Sequence, residues 1–230
     1  MLICDISPSM HAYTLMLICD ISPSMQQGGK QELQRDIAIS MAHAALRENN
    51  RCGLLIYAQG VEHYLPPSAD PQQVQRIAQQ LSLTHCTKVR RTCLRPALQF
   101  MKQKLPSCLG IILSDFQHNL DELQGVTEAT ASQKIPAHEL VAIQLLSGIE
   151  INHQGFRGGQ LTIKDVESGQ TCSIDLNRWR DYDLLQQQHR QQTAQSLDHS
   201  GVSSLLIDVS AGDVQQKINN LFVRRAASRR

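Results

Sequence analysis

Short apolar runs separated by amphipathic stretches dominate the first two-thirds of the chain. Residues 15–19 are five apolar side chains in succession, closed by Asp20, the pattern of a strand buried on both faces. From Lys30 to Glu48 the apolar positions Leu33, Ile37, Met41, Ala44 and Ala45 return at helical spacing, and Asn49-Asn50 ends the run. Residues 52–57 and 61–65 read as two further strands, the second closed by Pro66-Pro67. Asp70-Pro71 supplies the cap and first turn of a helix to about Leu83. Residues 94–105 predict a helix with Pro96 in its first turn, 109–113 a strand ending at Ser114-Asp115, 121–133 a helix and 140–146 a strand.

Strands alternating with helices at these intervals predict parallel βαβ units and an α/β fold with a doubly wound, mostly parallel, Rossmann-like sheet. The ligand crevice of such a sheet lies at the carboxyl ends of its strands, where both Asp20 and Asp115 stand. Beyond residue 150 the pattern changes. Residues 160–164 and 171–175, joined by Asp165-Val166-Glu167-Ser168-Gly169, predict a β-hairpin laid on the main fold. A long helix over 178–199, a strand over 205–209 and a helix from Asp213 follow. In the long helix Trp179, Tyr182 and Leu185 form a packing stripe, and the glutamines at 186–188 and 191–192 its wet face. The expected organisation is an N-terminal extension (1–14), one domain (15–223) with a hairpin insertion at about 151–176, and a basic tail (224–230). The four arginines of that tail are expected to be solvated.

The decapeptide MLICDISPSM occupies residues 1–10 and again 16–25. Two copies at a period of 15 are too few and too short for a solenoid. Only the second copy runs on into a helix, so the first is expected to lie outside the fold. The competing expectation is a swapped dimer through residues 1–25, in which one copy replaces its twin in a neighbouring molecule.

The chain has 230 residues, with 22 Lys plus Arg against 21 Asp plus Glu. That balance disfavours a nucleic-acid or anionic-membrane surface, and 4% aromatics leave few stacking platforms. No apolar run approaches the roughly 20 residues of a membrane span, and the N-terminus lacks a signal-peptide pattern. The seven cysteines are scattered and include no CxxC pair, which predicts reduced thiols in a cytoplasmic protein. Gly28-Gly29-Lys30 lacks the phosphate-loop frame. His63, His85, His118 and His138 lack ligand spacing on one helix, and Cys86 and Cys93 have no evident general base, so zinc and thiol catalysis are not expected.

The chemistry concentrates at Asp20-Ile21-Ser22-Pro23-Ser24, a D-x-S-x-S loop directly after the first strand. Mg²⁺ takes oxygen ligands in near-octahedral order and keeps several waters. Two hydroxyls spaced by two on a tight loop can turn toward one ion, with Asp20 holding it directly or through water. Thr92 and Asp115 would complete a partial cage, Thr84 and Thr87 being the alternatives to Thr92. An ion with so few anionic ligands stays electrophilic and keeps a position open for an outside carboxylate. The bland alternative is that Asp and Ser after a strand merely cap the next helix.

On these residues the chain resembles a von Willebrand factor A domain with a metal-ion-dependent adhesion site. Asp20, Ser22 and Ser24 match its first element, Thr92 its second and Asp115 its third. The segments Arg91-Thr92-Cys93-Leu94 to Ala97-Leu98 and Ser114-Asp115-Phe116 are closest to the MoxR-associated branch, the bacterial domain of unknown function 58. So are the late hairpin (Gly155, Leu161, Asp165, Gly169, Asp175) and the helix with Arg178 and Tyr182. The resemblance implies an adaptor rather than an enzyme. It would bind Mg²⁺, or alternatively Mn²⁺ or Ca²⁺, and work with a MoxR-type AAA+ ATPase in chaperone-like maturation of other proteins. It also implies N-terminal membrane helices in longer relatives, so a truncated or stand-alone version is expected here. Arg90-Arg91, where relatives have small residues, either oppose a cation or point outward to an acidic partner. The rival reading is a Mg²⁺-dependent phosphohydrolase using Asp20 and Asp115. It lacks the second aspartate of a D-x-D nucleophile loop, Ser22 standing there, and no lysine is expected to pair with the loop.

Overall fold

A computed structural model describes residues 13–84, 92–117, 138–151, 159–164, 171–175 and 179–227. Six strands form one sheet in the order β3-β2-β1-β4-β5-β8: β1 (Thr14–Asp20), β2 (Arg51–Tyr57), β3 (Val61–Ser68), β4 (Leu109–Ser114), β5 (Glu139–Leu146) and β8 (Ser203–Asp208). All neighbours pair in parallel except β2 and β3. The fold is therefore the doubly wound, mostly parallel α/β sheet expected. Residues 51–68 form an antiparallel hairpin instead of a further βαβ unit, because only Ala58, Gln59 and Gly60 separate the strands and a parallel crossover needs a dozen residues or more.

Alternate residues of β1 show how the sheet is covered. Leu17 and Cys19 pack with Ile37, Ala38 and Met41 of α1 (Lys30–Arg47) and with Val74, Ile77 and Leu81 of α2 (Gln73–Leu83). Met16 and Ile18 face the other way, against Ala97, Leu98 and Met101 of α3 (Arg95–Lys104). Burial on both faces explains the unbroken apolar run of β1, since each fully buried aliphatic side chain contributes about 1.5–3 kcal/mol. The strand β3 runs through Pro66 and Pro67 to Ser68 instead of stopping before them. As an edge strand it tolerates residues that cannot donate to a ladder. Asp70 does not cap α2 directly. Its Oδ1 accepts the Gln72 amide at 2.9 Å, forming a turn just before the helix.

The late hairpin is present as β6 (Gln160–Lys164) and β7 (Thr171–Asp175), an antiparallel pair in its own two-stranded sheet. A one-turn helix, α4 (Gly148–Ile151), follows β5, and the long helix is α5 (Trp179–His199). Its buried side includes Thr193 and Leu197, while Leu185 is 62% exposed, so the expected packing stripe does not include Leu185. The arginine tail is also revised: α6 (Val214–Ala227) carries the chain through Arg224 and Arg225, and Arg225 pairs with Glu139. The first decapeptide copy, the helix expected over 121–133 and Arg90-Arg91 lie outside the described residues. Among the described residues no helix is long and apolar enough to cross a membrane.

Candidate functional site

Strand order places the site. From β1 the sheet extends to β2 on one side and to β4 on the other, which makes the carboxyl ends of β1 and β4 the topological switch point. Asp20 is the last residue of β1, and Asp115 follows Ser114, the last residue of β4. Cys19 pairs with Leu113, so the two aspartates leave adjacent strands side by side. Past Asp115 the chain turns through Phe116, whose φ of 53° is a costly left-handed conformation for a bulky residue. The turn is tied by a hydrogen bond from the Phe116 amide to Ser114 Oγ, at 3.0 Å.

Asp20 is fully buried, and both of its carboxylate oxygens are engaged. Oδ1 accepts the Ser22 amide at 2.8 Å, and Oδ2 accepts the Ser114 hydroxyl at 2.6 Å. The first of these bonds folds the D-x-S-x-S loop back on itself and brings Ser22 Oγ to 3.1 Å from Ser24 Oγ. A one-turn 3₁₀ helix (Pro23–Gln26) then leads to α1. Thr92 is buried. Its neighbour Cys93 donates its amide to Ala58 O at 2.8 Å, which fixes this segment to the end of β2 beside Tyr57, the register partner of Asp20. Thr84, one of the alternatives, is committed elsewhere: its hydroxyl donates to Gln80 O at 2.7 Å.

Several members of the site were not identified from the sequence. Gln34, buried on α1, donates its Nε2 to Asp20 O at 2.8 Å and to Leu113 O at 2.9 Å, joining the ends of β1 and β4. Gln144 of β5 donates to Asp115 O at 3.0 Å. Lys30, the first residue of α1, places Nζ 2.8 Å from Asp115 Oδ2 and 2.8 Å from Glu150 Oε1. Both carboxylate partners of Lys30 lie outside the D-x-S-x-S loop, one at the end of β4 and one on α4. Lys30 follows the loop directly in sequence but reaches across to the end of β4. The available signal was polar residues at positions 30 and 34 of a helix whose buried stripe continues through Ile37, Ala38 and Met41.

The electrostatics follow from burial. Desolvation, then the charge of Asp115, pushes the Asp20 carboxyl up to about 7, with the hydrogen bonds from Ser114 and Ser22 opposing the shift. For Lys30 burial works against the charge, but Asp115 and Glu150 outweigh it and hold the ammonium above the usual lysine range. Tyr57 is fully buried near Asp20, with its hydroxyl lacking a hydrogen-bond partner of good geometry. Two neighbouring buried carboxylates and a pair of serine hydroxyls 3.1 Å apart are oxygen donors of the kind a hard cation with bound water takes. Among the described residues no cluster of three or more His, Cys, Asp and Glu side chains could hold a metal.

At the opposite end of the sheet His138 Nδ1 lies 3.2 Å from Cys108 Sγ, and burial pushes that thiol up to about 12, far from a reactive thiolate. Among the described residues Cys19, Cys52, Cys93 and Cys108 form no disulfide.

A family model described as "Protein of unknown function DUF58" matches residues 3–195. Among solved structures, the conserved hypothetical protein BatB from Bacteroides thetaiotaomicron is similar with a TM-score of 0.58 and 14% identity. The match covers 94% of this chain and 100% of that one. An aerotolerance-related membrane protein from Bacteroides fragilis is similar with a TM-score of 0.57 and 15% identity, over 93% and 100% of the two chains. At such identities the likeness is one of fold. No curated protein matches the chain.

Proposed function

The chain belongs to the DUF58 family, and from that premise we propose that it is a metal-dependent protein-interaction module with no catalytic role. Ser22, Ser24 and Thr92 would hold Mg²⁺ through their hydroxyls, with Asp20 and Asp115 behind them. The bound ion would supply a Lewis-acidic vertex for an acidic side chain of a partner. The observation that carries this reading is the 3.1 Å approach of the Ser22 and Ser24 hydroxyls beside two buried aspartates at the switch point. The chain's own residues set the strength of the site. Asp20 spends its oxygens on the Ser22 amide and the Ser114 hydroxyl, so it orients the serines rather than neutralising an ion. Its charge is disfavoured by burial and by Asp115, and a cation is the group that would relieve both.

The partner chemistry that fits is an exposed carboxylate. On the resemblance to the MoxR-associated branch, the partner is a MoxR-type AAA+ ATPase in protein maturation. Calorimetric titration of Mg²⁺ into wild type and Asp20→Ala tests the metal: heat in wild type that is absent in Asp20→Ala is expected, and equal heats in both would end the reading. Pull-down with the same pair tests the partner, with recovery of the ATPase only by the intact loop as the expected result.

A further inference from the structure

A lysine at the first position of a helix sits against the positive end of the helix dipole, and something else must hold it there. Two carboxylates hold Lys30: Asp115 Oδ2 and Glu150 Oε1, each 2.8 Å from Nζ, around a side chain only 1% exposed. Glu150 is itself anchored. Its Oε2 accepts the Ser147 amide at 2.7 Å and the Ser147 hydroxyl at 2.8 Å, and Arg190 donates to its backbone carbonyl at 2.8 Å. The loop before α1 closes against the same segment. Gly28 has a φ of +63°, and a Cβ there would stand 2.5 Å from Ser147 Cβ.

Asp115 belongs to both assemblies. One oxygen serves Lys30 and the other accepts the Gln117 amide at 3.3 Å. Asp20, Asp115 and Glu150 set three carboxylates against one ammonium. Resting on the metal-site reading above, we propose that Lys30 is a tethered competitor of the divalent cation for Asp115, with Glu150 as its alternative seat. Two cations sharing one carboxylate in a buried site repel strongly. Loading of the serine site therefore weakens the Lys30–Asp115 bond and shifts the ammonium toward Glu150, which is tied to Ser147. The affinity of the site is set by this exchange and not by the five predicted ligands alone.

Mg²⁺ calorimetry on four folded proteins tests the proposal, with wild type and Lys30→Arg as the charged forms. Lys30→Met is expected to bind Mg²⁺ roughly tenfold or more tightly than wild type, and Lys30→Arg close to wild type. Glu150→Gln, which leaves the ammonium only Asp115, is expected to bind several-fold more weakly. In ¹⁵N-labelled wild type the buried Lys30 ammonium resonance should move during the titration with the calorimetric midpoint. A merely structural ion pair would loosen the site when broken from either side and weaken binding in both variants. Lys30→Met binding no tighter than wild type, or a Lys30 resonance that stays still while Mg²⁺ binds, overturns the competition and leaves the metal site standing. Absence of binding in all four proteins overturns both. Should Lys30→Met fail to fold by circular dichroism, Glu150→Gln and the resonance carry the test, and unchanged or tighter binding by Glu150→Gln overturns it.

Discussion

Asp20 lies fully buried at the end of β1, and burial together with the neighbouring Asp115 raises its carboxyl to about 7. The folded chain therefore holds a proton there that the unfolded chain has already lost between about pH 4 and 7. Stability without divalent cation should fall as pH rises through that window, by an amount on the order of 2 kcal/mol between pH 5 and 8. Urea unfolding in chelator at the two pH values checks it, and Asp20→Asn should flatten the slope. Gln34 gives a second expectation at this scale. Replacing it with Leu leaves the carbonyls of Asp20 and Leu113 without their side-chain donor, at a cost of roughly 2 kcal/mol in the same assay. Asp20, Ser22, Ser24 and Asp115 were legible in the sequence because a loop at a strand end has a local signature. Lys30, Gln34, Tyr57 and Glu150 were not, because their roles arise only when β2, β4 and β5 are brought beside β1.

At the scale of elements, the buried strands were legible from their unbroken apolar runs, and the helices from spacing and stops. What spacing could not give was strand direction. The hairpin of β2 and β3 reads locally like two strands of any sheet, and Pro66-Pro67 reads like an end until the edge position of β3 is known. Exposure of Leu185 likewise depends on which face of α5 meets the sheet. Glycines inside the strands carry a test of this packing. A Cβ at Gly53 would meet Leu65 O at 2.9 Å and Pro67 N at 3.0 Å, backbone atoms that cannot move without breaking the hairpin. At Gly110 it would meet Leu140 Cδ2 at 2.8 Å and the side-chain tips of Ile18 and Met101, which can rotate away. Gly53→Ala should therefore cost roughly 3 kcal/mol and Gly110→Ala roughly 1 kcal/mol, compared by urea unfolding. Equal costs would mean that β3 does not lie against Gly53 as described.

For the molecule as a whole, the strand order fixes where binding energy can act. The serine loop, the Thr92 segment, Asp115 and the Lys30–Glu150 pair come from widely separated parts of the chain and meet only at the carboxyl ends of β1, β2, β4 and β5. An ion bound there engages the folded state and has no comparable site in the unfolded one, so binding must stabilise folding by mass action. At a Mg²⁺ concentration about one hundred times its dissociation constant the gain is about 2.7 kcal/mol. For a chain of this size that raises Tm by roughly 5–10 °C. Thermal unfolding of wild type in chelator and in increasing Mg²⁺ should show that rise with logarithmic dependence on concentration. Asp20→Ala should unfold at one temperature throughout. Lys30→Met should start lower in chelator, because it strands Asp115 and Glu150 without their cation, and should gain more than wild type from the same Mg²⁺. A wild-type Tm indifferent to Mg²⁺ would remove the cation from the centre of this fold and leave Lys30 as its only occupant.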